Sequence, residues 1–299
     1  MWKRTRTEEE MLGLVLSVAE ADEHVRAVAM NGSRTNPNAP RDVLQDYDIV
    51  YLVTEDGMRE LVRDRQWVDV FGERIIMQTP VDASLFPAEW APEERFSYLM
   101  QFTDGNRIDL TLIPIARKDA YLQEDKLTVI LLDKDRCLPA IPAPTDEDYR
   151  VKRPTAAMFA GCCNEFWWVS TYVAKGLWRR ELLYAQAHMN DQVRPMLIRM
   201  LEWQMGLQTD FKASMGKNGK YLQRYLPEPV WLALLSTYAD GSYDGMWKAL
   251  HAMGELFRST ATDVARRMHF DYRLEDGRRV IAYLRHVESL PADARAIFP

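Results

Sequence analysis

Apolar positions in the first half of the chain change period several times. Thr7 and Glu10 form a capping-box pattern, and Met11, Leu14, Val15 and Val18 follow at helical spacing, predicting an amphipathic first helix. VRAVAMN (Val25 to Asn31) reads as a buried strand ending at Gly32-Ser33. A polar loop with Asn36-Pro37-Asn38 and Pro40 leads to DYDIVYLV (Asp46 to Val53), a strand rich in β-branched and aromatic residues. A helix is predicted around Met58 to Trp67, followed by a short strand, ERIIMQ. FSYLMQF (Phe96 to Phe102), the turn Asp104-Gly105-Asn106 and RIDLTLIPI (Arg107 to Ile115) predict a β-hairpin, and LTVILLD adds a further strand.

The pattern then changes. PAIPAPTDEDY (Pro139 to Tyr149) carries three prolines and the acidic run Asp146-Glu147-Asp148, which reads as a solvated linker. From Thr155 onward the spacing is helical almost throughout, with long segments near 155–174, 178–205, 228–239 and 244–269, and Pro195 is expected to kink or divide the second. The predicted fold class is α+β. Residues 1–145 form a domain with a mixed sheet flanked by helices, and residues 146–299 form an all-helical domain.

Composition narrows the possibilities. The 299 residues carry 38 Lys and Arg against 44 Asp and Glu, a net charge of −6, which counts against a broad nucleic-acid footprint and suits a cationic small substrate. The N-terminal MWKRTRTEEE passes from basic residues into three acids where a secretory signal would turn apolar, and no stretch has the ~18 uninterrupted apolar residues of a membrane span. Cys137, Cys162 and Cys163 form no CxxC pair, and the five histidines sit at no zinc spacing. The expected compartment is the reduced cytoplasm. Oligomeric state stays open.

The chemistry concentrates in Gly32-Ser33, then Asp46-Tyr47-Asp48, then Ile108-Asp109-Leu110. Residues two apart on a strand project from one face, so Asp46 and Asp48 aim together, and Asp109 faces opposite to its apolar neighbours. If the two strands are adjacent, three carboxylates meet. Their mutual repulsion calls for a cation, and hard oxygen ligands favour Mg2+, with two ions suited to an in-line displacement. Gly32 would let the backbone approach a phosphate, and Ser33 would add a hydroxyl and an N–H.

The same residues resemble the polymerase-β-type nucleotidyltransferase superfamily. More closely, the chain is similar to the aminoglycoside 6-adenylyltransferase (streptomycin adenylyltransferase) family. The likeness runs from TEEEMLGLVLSVAEADEHVRAV through GSRTNPNAPRDVLQDYDIVYLV, DGNRIDLTLIPI, KRPTAAMFAGCCNEFWWVSTYVAKGLWRRELLYA and SMGKNGKYLQRYLP to about Asp271. It implies transfer of AMP from ATP to a hydroxyl of an aminoglycoside such as streptomycin, with release of pyrophosphate. Asp46, Asp48 and Asp109 would hold the metal ions, Gly32 and Ser33 would bind the phosphates, and Asp109 is the nearest acceptor for the hydroxyl proton. The family usually has an acid before Gly-Ser, where this chain has Asn31. Two other readings fit these residues: transfer to a different small-molecule or protein hydroxyl, and non-catalytic binding of a nucleotide or drug.

The helical half offers weaker candidates. Glu165 and Trp168, in CCNEFWW, would hold the cationic drug beside an aromatic wall, although a packed aromatic helix with one solvated acid has the same pattern. Lys217, at an expected helix start after Met215-Gly216, is the first choice for a triphosphate lysine by likeness to related nucleotidyltransferases, with Lys175 and Arg34 behind it. An ordinary surface lysine fits Lys217 equally. Cys162 and Cys163 read as core.

Overall fold

The structure, a computed structural model, describes residues 2–83, 85 and 89–298 and divides into two compact units, Met1–Asp148 and Tyr149–Pro299. The α+β class expected from the sequence is the one observed, with a mixed six-stranded sheet and helices followed by a helical part.

The first unit opens with α1 (Glu8–Ala21). Thr7 accepts from the Glu10 N–H while Glu10 reaches back to the Thr7 N–H, so the predicted capping box is formed. Next come β1 (Val25–Asn31), β2 (Tyr47–Val53) and α2 (Glu55–Arg63), then β3 (Arg74–Gln78), β4 (Phe96–Phe102), β5 (Arg107–Pro114), the one-turn α3 (Lys118–Tyr121) and β6 (Val129–Asp133). The helix expected over Met58 to Trp67 lies further upstream. Thr54 caps it by accepting from the Gly57 N–H, it stops at Arg63, and a 3-10 turn takes Gln66–Phe71. The sheet order is β3-β4-β5-β2-β1-β6, and β2 and β5 are parallel neighbours while every other pair is antiparallel.

Alternation along these strands builds two cores. Tyr47, Ile49, Tyr51 and Val53 of β2 join Ile108, Leu110 and Leu112 of β5 against Met11 and Val15 of α1. On the other face Val50, Leu52 and Ile113 form a smaller cluster with Ala27, Ala29 and Tyr121. Asp48 and Asp109 share that second face by parity. The β4–β5 turn is anchored by buried Asp104, which accepts from Arg6 Nε at 2.6 Å and from Asn106 Nδ2 at 3.0 Å. These bonds hold its carboxyl well below the usual range despite burial, and Gly105 at φ +88 makes the turn. In the acidic run at the end of this unit, Glu147 and Asp148 are exposed as expected and Asp146 departs from the solvated linker. Asp146 is only 4% exposed and accepts from Asn38 Nδ2, while Glu147 and Asp148 pair with Lys126.

The second unit is built from α4 (Ala156–Trp178), α5 (Leu182–His188), α6 (Arg194–Gln208), α7 (Leu222–Tyr225), α8 (Glu228–Leu235), α9 (Tyr243–Met268) and α10 (Leu274–Ser289). The segment expected over 178–205 is broken. α4 runs on to Trp178, Arg180 turns the chain at φ +62, and a π-turn over Met189–Val193 precedes Pro195 in the first turn of α6. Gly176 permits the sharp return, since a Cβ there would lie 2.8 Å from the Tyr184 ring and 3.2 Å from Ala185. α10 was not among the segments read from the sequence. Its buried Ile281, Leu284 and Val287 have helical spacing, but Gly277 and a run of charges obscure its start. Phe166 and Phe257 stack at 3.8 Å in the core, and Cys162 and Cys163 are buried there, with the Cys162 thiol pushed up to about 12 by burial. No helix among the described residues is long and apolar enough to cross a membrane.

Candidate active site

β2 is buried along its length except at Asp48, which is half-buried beside two other acids. Parallel pairing of β2 with β5 sets Asp48 directly opposite Asp109, and Asp46 lies just before β2, two residues from Asp48. Each of the three offers a carboxylate oxygen, all within 4.8 Å of one another, and this is the one such group of potential metal ligands among the described residues. Burial first, then the charges of Asp46 and Asp109, raise the Asp48 carboxyl from 3.8 to about 7. Three close carboxylate oxygens, one of them hard to ionise alone, form a donor set suited to a hard divalent cation.

Gly32 closes one side. At φ +76, a Cβ there would lie 2.0 Å from Asp48 Oδ2, so glycine is required by the carboxylate as well as by the turn. Gly32–Arg34 forms a 3-10 turn, tied down by buried Thr35, whose hydroxyl lies 2.9 Å from both the Gly32 and the Leu127 carbonyl oxygens. Gln45 Nε2 donates to Ser33 Oγ at 3.2 Å and to its carbonyl at 3.3 Å, fixing the Gly-Ser turn to the approach of β2.

Arg34 is placed differently from a phosphate ligand. Its guanidinium stacks 3.7 Å over Tyr47, which lies on the face of β2 opposite to Asp48, and it donates to the carbonyls of Asp46 and Gln45 and to Glu8. The side chain is buried and braces the carboxylates from behind. Asn31, paired with Asp48 across the β1–β2 ladder, donates from Nδ2 to Thr128 Oγ1 at 2.6 Å and accepts from the Tyr121 hydroxyl at 2.7 Å. Thr128 in turn donates to the Asp125 carbonyl, so its oxygen faces Asn31 as an acceptor. The amide therefore fits this network, where a carboxylate would meet a second acceptor.

Sequence reasoning passed over Arg107. Its Nε and Nη2 donate to the two oxygens of Asp109, each at 2.7 Å, and its Nε lies 3.9 Å from Asp46. The signal was available, because Arg107 stands two residues before Asp109 on the same strand and so shares its face. Gln45 carried no such signal, since its role depends on how the loop before β2 folds back.

The remaining predicted residues belong to the second unit. On α4, Glu165, Trp168, Tyr172 and Lys175 recur at intervals of three and four, forming one stripe. Glu165 is exposed, and Trp168 is 60% exposed and donates to the Tyr172 hydroxyl at 2.8 Å. Lys175 Nζ lies 4.8 Å from the centre of the Tyr172 ring. Lys217 is exposed and begins a 3-10 turn, not the helix start expected, with Gly216 at φ +71 before it and Asn218 left-handed after it.

A mixed sheet bearing a Gly-Ser turn beside three carboxylates, two on neighbouring strands and one just before them, defines a nucleotidyltransferase. Comparison with known proteins places the chain more narrowly. The family model for streptomycin adenylyltransferase matches residues 5–287. An aminoglycoside 6-adenylyltransferase from Campylobacter jejuni is 47% identical over 271 residues, covering 91% of this chain and 92% of the relative. Its counterpart from Bacillus subtilis (strain 168) is 46% identical over 268 residues, covering 89% and 93%, and one from Staphylococcus aureus is 38% identical over the same length. The crystal structure of an aminoglycoside 6-adenyltransferase from Bacillus subtilis aligns at 40% identity with a TM-score of 0.47, over 95% of this chain and all of that one. The chain belongs to the streptomycin adenylyltransferase family and is a nucleotidyltransferase enzyme.

Proposed function

We propose that this enzyme transfers AMP from ATP to a hydroxyl of an aminoglycoside of the streptomycin type, in a Mg2+-dependent reaction that gives resistance to the drug. The observation that carries the reading is the convergence of Asp46, Asp48 and Asp109 beside the Gly32-Ser33 turn in a member of this family. Asp46, Asp48 and Asp109 would hold the metal. When bound, Mg2+ supplies charge neutralisation for the triphosphate, and two ions are the number that in-line displacement favours. The Gly32 and Ser33 backbone, with the Ser33 hydroxyl, binds the phosphates, and Gln45 orients that hydroxyl. The acceptor oxygen bonds to the α-phosphorus as the bond to pyrophosphate breaks, and Asp109 is the nearest acceptor for the hydroxyl proton.

Residues 1–145 are proposed as the catalytic domain and 146–299 as the domain that completes the nucleotide and acceptor sites. Lys175 and Lys217 are proposed triphosphate ligands. Glu165 and Trp168 are proposed to hold the drug, the acid through charge on its cationic groups and the indole by lying against them. A net charge of −6 suits a cationic acceptor, and the enzyme is proposed to work in the cytoplasm without nucleic acid. Arg34, with three of its donors on Asp46, Gln45 and Glu8, is proposed to act on the nucleotide site mainly as the strut that positions Asp46.

The test is purified protein with ATP, Mg2+ and streptomycin. Pyrophosphate release and a drug product heavier by one adenylyl group are expected. Absence of turnover across a panel of aminoglycosides would remove the antibiotic from the reading, and activity retained in Asp46→Asn would remove the metal site.

A further inference from the structure

We infer that Arg107 is a built-in counter-ion of the carboxylate pocket, whose positive charge on Asp109 opposes binding of a divalent cation there. The inference rests on the metal reading above and extends it to a residue that reading does not use. Both oxygens of Asp109 accept from the same guanidinium at 2.7 Å, and Asp46 lies 3.9 Å from its Nε. Such a planar fork is the strongest geometry a side chain offers to a carboxylate, and it takes two of the roughly four lone-pair sites of Asp109. A cation that ligates Asp109 would meet the guanidinium charge across the same carboxylate.

The surroundings fit a side chain that moves. Arg107 is the first residue of β5 and its side chain is 44% exposed, whereas that of Asp109 is 19% exposed. Beside it lies a cavity of about 140 Å3 lined by Gln78, Leu99 and Gln101, whose side-chain amides and apolar wall suit a displaced guanidinium. Arg107 therefore screens the acids and competes with a cation for the charge of the same carboxylates. It is a positioning residue, acting through Asp109.

The competition has a signature that a purely structural ion pair lacks. Arg107→Met keeps the stem and removes the charge, and Arg107→Lys keeps the charge but loses the fork. Mn2+ binding without nucleotide is followed through the electron paramagnetic resonance of the free ion, and metal-free thermal stability is measured in EDTA. Arg107→Met is expected to bind Mn2+ at least about fivefold more tightly than wild type, because a full positive charge leaves the edge of the pocket. Its melting temperature in EDTA should fall, and Arg107→Lys should lie between on both readouts. Wild-type binding with a folded Arg107→Met variant that binds no more tightly would overturn the inference and leave the metal reading standing. Failure of wild type and both variants to bind Mn2+ would instead overturn the metal reading itself. Tight binding by Arg107→Met alone would support the competition in its strongest form.

Discussion

Replacing Asp48 by Asn separates what the carboxylate does for catalysis from what it does to the fold. In the metal-free protein the Asp48 carboxyl is raised from 3.8 to about 7, by burial first and by Asp46 and Asp109 next. At 1.36 kcal/mol per pH unit, the charged form costs an upper bound of roughly 4 kcal/mol, and the remaining solvent contact brings the working figure to about 2 kcal/mol. The sign follows from linkage. Below about pH 3 the carboxyl is protonated both folded and unfolded, and its charge costs nothing. As pH rises toward 7 the unfolded chain ionises first, so stability is lost across that window and the loss is complete above it. Asp48→Asn escapes this loss. In EDTA at pH 8 it should melt about 4–8 °C higher than wild type, by the usual scaling for a domain of this size. At pH 4 most of the difference should be gone, and added Mg2+ should stabilise wild type more than the variant. Differential scanning calorimetry from pH 4 to 8 measures all of this, and a pyrophosphate assay should find the variant inactive. An Asn variant no more stable at pH 8, or one with the same advantage at pH 4, would refute the electrostatic account.

Three further substitutions probe the neighbours. Gly32→Ala places a Cβ 2.0 Å from Asp48 Oδ2 at φ +76, so transfer should fall more than about tenfold and stability by ~1–3 kcal/mol, read by turnover and denaturant melts. Asn31→Asp sets a carboxylate against the Thr128 oxygen and opposite Asp48, and should lower the EDTA melting temperature at pH 8 by an amount corresponding to about 1–3 kcal/mol. Trp168→Ala removes a side chain that is 60% exposed, so the melting temperature should hold while KM for the drug rises and KM for ATP does not.

Local pattern was enough for much of the first unit. The capping box of α1, the span Val25–Asn31, the β4–β5 hairpin and the alternation that turns Asp48 and Asp109 away from the main core all follow from residue spacing. These are near-neighbour rules, and a single chain states them directly. Helix ends were less legible. α2 ends at Arg63 and not at Trp67, and α4 passes its expected stop to meet Arg180 in a left-handed turn, because both ends depend on what the following segment packs against. Asp146 was misread for a related reason, since its burial depends on Asn38, 108 residues away.

For the site itself, the sequence alone determined which acids share a face and that a small residue stands before Ser33. Only the tertiary structure decided that β2 and β5 are parallel neighbours, which brings Asp48 opposite Asp109. It also decided that Arg34 lies behind the acids against Tyr47, while Arg107 lies upon them. The physical reason is common to these cases. Strand periodicity fixes the direction of a side chain relative to its own backbone, but strand order and loop closure fix what it meets, and a charge is defined by what it meets.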